Sequence, residues 1–126
     1  MIHGIGTDIV AVARLQRMWE RHGEYAVARL LAPDELPAFS RATDKARFLA
    51  KRFAAKEAFA KAFGTGLRAP AMLGAIAVVN DDLGKPALNF HGDLDRALRA
   101  RGLTAHLSIS DEADYAVAFV VLEKIC

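Results

Sequence analysis

The chain has 126 residues, 53% of them hydrophobic and 25% charged, the balance of one folded domain and not of a disordered tract. A net charge of +2 excludes nucleic-acid binding by bulk electrostatics, and no apolar run is long enough to span a membrane. The start, MIHGIGTDIV, lacks the features of a signal peptide, and the single cysteine, Cys126, has no intrachain partner, so the expected setting is the cytoplasm.

Ile2 to Val10 reads as a short strand running into a turn, with Gly4 and Gly6 marking close backbone approach or local irregularity. Ile9 stands where a dinucleotide fingerprint needs its third glycine, so Gly4 and Gly6 do not belong to one. Asp8 closes this strand ahead of a helix and reads first as a cap. Val12 to His22 is a helix ended by Gly23, with Val12, Leu15 and Trp19 as its buried stripe. Arg14, Arg17 and Arg21 form another stripe with Met18 beside it; by itself this is a solvated face. Glu24 to Leu31 continues as helix, Ala32-Pro33 breaks it, and Asp34 to Ser40 forms a further short turn of helix.

The chain is organised around Phe48 to Gly66, FLAKRFAAKEAFAKAFGTG, within a helix capped by Thr43 or Asp44. Phe48, Leu49, Phe53, Phe59, Ala60 and Phe63 share one broad arc, the expected packing face, and alanines fill most of the remainder. Arg52 and Lys56 lie inside that arc, where long stems are expected to snorkel to water. Glu57 has a short stem and needs a cation, either Lys61 one turn on or a metal ion. Gly64-Thr65-Gly66 follows the helix and lacks the Lys-Ser/Thr ending of a P-loop, so it is a C-cap, with backbone approach to a ligand as an addition.

The second half changes character. Ala75 to Val79 and Ala87 to Phe90 are strands joined through Gly84-Lys85-Pro86, and Gly92 to Arg101 is a helix with Leu94 and Leu98 inside. Ala105 to Ser110 alternates, Leu107 and Ile109 against His106 and Ser108, and Tyr115 to Leu122 is the last strand after a turn at Asp111 to Asp114. The layout is α+β, a mainly antiparallel sheet packed around a long central helix.

Three segments taken together, GIGTDIV, FAAKEAFAKAFGTG and HLSISDEADYAVAFVV, resemble the holo-acyl-carrier-protein synthases, the small bacterial class of 4′-phosphopantetheinyl transferases. The likeness runs in order along essentially the whole chain, and the K-E-A-x-x-K-A core is its most specific part. It implies a single transferase domain over residues 1–126 that moves the phosphopantetheine arm of coenzyme A to a serine of apo-acyl carrier protein, releasing adenosine 3′,5′-bisphosphate. Asp8 and Glu57 match the family's Mg²⁺ ligands, which replaces the cap reading of Asp8. Lys61 matches a lysine at the phosphates and His106 a histidine near them, while Arg52, Gly64, Gly66, Lys85 and Pro86 are weaker matches for contacts to the nucleotide.

Arg14, Met18 and Arg21 match the surface that docks the acidic carrier, with Arg17 joining them on geometry alone. The family also implies a homotrimer with sites shared between neighbouring subunits, and no nucleic-acid or membrane partner. Many members carry a histidine where this chain has Asp111. The base for the serine stays open between Glu57 and a hydroxide on the metal, as does Mg²⁺ against Mn²⁺. Two other activities are compatible with the same residues: a Mg²⁺-dependent hydrolase of coenzyme A or a nucleotide diphosphate, which needs no arginine stripe, and a non-catalytic module that binds an acidic protein.

Overall fold

A computed structural model describes residues 1–125; Cys126 lies outside the described residues. In chain order the elements are β1 (Ile2–Ala11), α1 (Val12–His22), α2 (Glu24–Leu30), α3 (Leu36–Arg41), α4 (Lys45–Phe63), β2 (Ile76–Asn80), β3 (Pro86–Phe90), α5 (Gly92–Arg101), β4 (Leu103–Asp111) and β5 (Tyr115–Lys124). Short 3₁₀ turns at Pro33–Glu35 and Leu73–Ala75 precede α3 and β2. The strands form an antiparallel sheet ordered β1-β5-β4 and a separate β2-β3 hairpin. This is the expected α+β arrangement, with α4 lying under the larger sheet.

Asp44 is the cap of α4: its carboxylate accepts from the Arg47 N–H at 3.0 Å. Gly64 ends the helix in the left-handed region, φ 102°, where an L side chain would be strained. Between these ends the helix is buried on two faces instead of the one expected. The phenylalanine arc carries Phe59, stacked on Phe63 and tilted against Phe90 of β3. The alanine side, Ala50, Ala54, Ala58 and Ala62, is also buried, because it lies directly against the sheet.

The glycines of β1 explain that contact. A Cβ on Gly6 would stand 1.9 Å from the Ala58 carbonyl oxygen, and one on Gly4 2.1 Å from that of Ala62. Strand and helix therefore meet main chain to main chain, with methyl groups on one side and bare Cα atoms on the other. Gly4, Gly6, Asp8 and Val10 share the helix-facing side by strand alternation. Asp8 is not the end of the strand: it sits within the ladder opposite Ala118, and the residue that caps α1 is Ala11. The cap reading fails on position alone.

Arg52 and Lys56 do not snorkel. Their residues are 6% and 0% exposed, and both turn inward to Glu35, itself fully buried in the 3₁₀ turn before α3. Lys56 Nζ donates to Glu35 Oε1 at 2.5 Å, to the Leu30 carbonyl at 2.7 Å and to the Leu73 carbonyl at 3.0 Å. Arg52 donates to Glu35 Oε2 at 3.2 Å and to the Val78 carbonyl, with its guanidinium 4.4 Å from the Phe48 ring centre. Burial lowers the proton affinity of both cations and Glu35 opposes it.

Because nothing between β1 and α4 can move aside, Gly6→Ala should cost about 3 kcal/mol or more of stability. Gly74→Ala, where an added Cβ meets nothing within 4 Å, is the control and should stay near neutral. Chemical denaturation of both variants measures the difference; equal midpoints would show that the strand can retreat from the helix.

Candidate active site

The glycine seam delivers Asp8 to the second half of α4. Lys61 Nζ donates to Asp8 Oδ1 at 3.1 Å and to the Thr7 carbonyl at 2.9 Å. The Glu57–Lys61 pair one turn apart is therefore not what satisfies Lys61, which reaches across to β1. Among the described residues Glu57 forms no ion pair. Burial and the neighbouring Asp8 charge raise the Glu57 carboxyl above its usual range, with Lys61 and Arg14 pulling the other way. A raised carboxyl of this kind adds stability below the ordinary carboxylate pKa and loses it as pH rises through the folded value. Ionised Glu57 is thus a standing cost to the fold near neutrality.

Two carboxylates that repel each other, one of them without a partner, form a donor set suited to a hard divalent cation. Mg²⁺ takes one or two protein carboxylates and completes its shell with phosphate oxygens and water. Among the described residues no group of three or more His, Cys, Asp or Glu side chains converges, so the remaining ligands would have to come from substrate and solvent. Asp8, Glu57 and Lys61 are brought together as expected.

Other expected residues fall elsewhere. His106 is on the opposite face of the sheet from Asp8, in line with Val121 and Ile5, and its Nε2 lies 3.0 Å from Glu123 Oε1. Within one chain it does not reach the carboxylates. That outer face also carries exposed Ile5, Ile9, Tyr115 and Phe119, 61%, 63%, 50% and 43% exposed. The N–H groups of Gly64 and Gly66 both donate to the Ala60 carbonyl, so these glycines offer a ligand close approach but not those donors.

Arg52 and Pro86 line one groove of about 400 Å³ between the N-terminal half of α4, the hairpin and the end of β4, with Arg47, Lys51, Phe48 and Asn80. Lys85 is exposed in the hairpin turn beside it, its N–H bonded to the Asp81 side chain at 2.8 Å. Arg52 enters this wall as part of the buried cluster and not as a free surface cation. Asp111 belongs to β4 and not to the turn; its carboxylate lies 3.1 Å from Arg47 and 3.6 Å from Lys51. Arg47 also donates to the Glu112 and Ala113 carbonyls, strapping the β4–β5 turn to α4.

On the other side of α4, Arg17, Met18 and Arg21 line a larger groove of about 840 Å³ between α1 and α2. Arg14 flanks it, its guanidinium 5.3 Å from the ring centre of Phe53, which lines the groove with Leu73. Sequence reasoning missed Tyr25 and Arg29, which α2 adds to the same groove. It also missed Glu35, for which the only signal was the presence of two cations in an apolar arc.

Comparisons with known proteins identify the family and the fold. Residues 4–120 match the model of the 4′-phosphopantetheinyl transferase superfamily. A holo-[acyl-carrier-protein] synthase of Dechloromonas aromatica is 67% identical, over 98% of this chain and 98% of its own. The crystal structure of the synthase from Neisseria meningitidis superposes with a TM-score of 0.94 at 46% identity, covering 98% of this chain and 100% of that one. The Bacillus anthracis synthase, determined in complex with CoA (3′,5′-ADP), gives 0.83 at 37% identity, covering 99% of each chain. With the match running over nearly its whole length, the chain belongs to the 4′-phosphopantetheinyl transferase superfamily.

Proposed function

We propose that the chain, as one transferase domain, is a holo-acyl-carrier-protein synthase of the cytoplasm that supplies the carrier of fatty-acid synthesis. The observation that carries the reading is the contiguity of its two surfaces: the Arg14 guanidinium of the arginine helix lies 5.3 Å from the ring centre of Phe53, one turn of α4 before Glu57. A carrier held by α1 would present its serine beside Asp8, Glu57 and Lys61.

In the reaction the serine oxygen attacks the pantetheine-bearing phosphorus of coenzyme A. The P–O bond to adenosine 3′,5′-bisphosphate breaks, and the serine proton leaves to a base. Asp8 and Glu57 would hold Mg²⁺, whose chemistry there is to neutralise pyrophosphate charge. Lys61, half-exposed and tied to Asp8 and the Thr7 carbonyl, has donor capacity left for the departing oxygens. The basic groove of Arg47, Lys51 and Arg52, which Asp44 also lines and Asp111 partly neutralises, with Lys85 and Pro86 at its rim, suits the nucleotide half of coenzyme A. Gly64 and Gly66 would let a substrate pass close to the end of α4.

Intact-mass analysis of an apo-acyl carrier protein incubated with the chain, coenzyme A and Mg²⁺ tests the reading. The expected gain is one phosphopantetheine, absent with chelator and cut by at least about a hundredfold in Glu57→Gln. Cleavage of coenzyme A without carrier modification would mean a hydrolase, and no change at all a binding module.

The acidic carrier should lie on the groove of Arg14, Arg17, Met18 and Arg21. Charge reversal in Arg21→Glu is expected to raise KM for the carrier about tenfold and leave KM for coenzyme A unchanged. Steady-state kinetics with each substrate varied separately would detect the opposite pattern.

The homotrimer is supported by the large apolar side chains left exposed on the outer face of the sheet, Ile5, Ile9, Tyr115 and Phe119. Such packing would let His106 enter a neighbour's site and meet the phosphates that the neighbour's Asp8 and Glu57 attend. Phe119→Asp should therefore yield monomers in sedimentation and lose activity in parallel; an active monomer would refute the shared site.

A further inference from the structure

We propose that the buried Glu35–Arg52–Lys56 cluster is a positioning device that fixes the β2–β3 hairpin against α4 and so sets the opening of the basic groove. The inference rests on reading that groove as the site of coenzyme A's nucleotide half.

The argument begins with an open strand edge. Among the described residues β2 pairs only with β3, in a register that sets Val78 opposite Leu88. The Val78 N–H and carbonyl point away from β3, and no further strand meets them. Glu35 Oε2 accepts from the Val78 N–H at 3.1 Å, and the Arg52 guanidinium donates to the Val78 carbonyl. A carboxylate and a guanidinium thus take the place of a neighbouring strand. The other Glu35 oxygen accepts from the Ala32 N–H at 2.8 Å and from Lys56, which also reaches Leu30 and Leu73. The end of α2, the turn before α3, the approach to β2 and β2 itself are all referred to one turn of α4.

Stability alone does not call for this arrangement. Buried ion pairs can usually be exchanged for apolar side chains at no loss, and this one leaves an extra positive charge inside. What it supplies is direction: each polar atom has a fixed partner, so the hairpin has one seat on the helix. Arg52 connects that seat to the groove. It holds Val78 from within while its guanidinium, 4.4 Å from the Phe48 ring centre, lines the same groove as Pro86. A hairpin that shifted on α4 would carry Asn80, Gly84 and Pro86 away from Arg47 and Lys51.

The test is steady-state kinetics on Glu35→Gln/Lys56→Met, which removes opposite charges together and nearly preserves volume. Lys51→Ala, a groove residue outside the cluster, is measured beside it. The expected result for the double variant is a KM for coenzyme A raised roughly tenfold, with kcat and the carrier KM within about twofold of the parent. Lys51→Ala should also raise the coenzyme A KM. If apparent kcat falls with the folded fraction while both KM values hold, or if a folded double variant is unchanged, the cluster has no positioning role. If only Lys51→Ala affects coenzyme A, the groove reading stands and the positioning role falls. If Lys51→Ala has no effect, both fall. Should the double variant fail to fold, hydrogen exchange on the parent protein decides. The Val78 amide is expected to be strongly protected compared with residues 82–84 of the hairpin turn, and equal exchange would overturn the proposal.

Discussion

Contact between bare main chain on β1 and the alanine side of α4 is the constraint on which the rest of the molecule depends. Gly4 and Gly6 admit carbonyl oxygens to distances no other residue would allow. That closeness decides which residue of β1 comes next against the helix, and it is Asp8. Lys61 then spans the remaining gap. The carboxylate pair is thus a product of packing. Asp8 and Glu57 are 49 positions apart in sequence and belong to elements separated by three helices, yet the main-chain spacing beneath them is governed by atoms that have almost no freedom.

The opposite side of α4 is governed differently. There the helix carries phenylalanines and two long cations, and the partner is a set of short, irregular segments that have few backbone bonds of their own. Glu35 gathers them. Its two oxygens accept from four donors, drawn from Ala32, Arg52, Lys56 and Val78. Such full satisfaction is what makes a buried carboxylate tolerable, and it is why loss of any single member of the cluster would be more damaging than loss of all its charges.

The regular elements were legible in the sequence because local signals agreed: α1 between Ala11 and Gly23, α4 between Asp44 and Gly64, and the alternation of β4. Asp8 and Glu57 could be picked out as short charged side chains at odd places, but their roles came from resemblance, since spacing alone allows a cap and a helical pair. The reading of Arg52 and Lys56 failed for a definite reason. Snorkelling is the cheapest outcome for one helix in isolation, whereas a carboxylate from a distant turn makes burial cheaper still, and no periodicity reports that turn's position. The sheet face bearing His106 was visible as alternation, but which face looks toward α4 follows from Gly4 and Gly6, and only once the strands are paired.

The seam also has a thermal consequence. Glycine and alanine have no rotamers to lose or regain, so the contact between β1 and α4 forms without side-chain entropy cost and offers no alternative packing as temperature rises. Most interfaces in a protein soften by rotamer exchange well before they come apart. This one has no such intermediate: the main-chain spacing beneath the two carboxylates is held by residues without rotamers until the strand leaves the helix altogether.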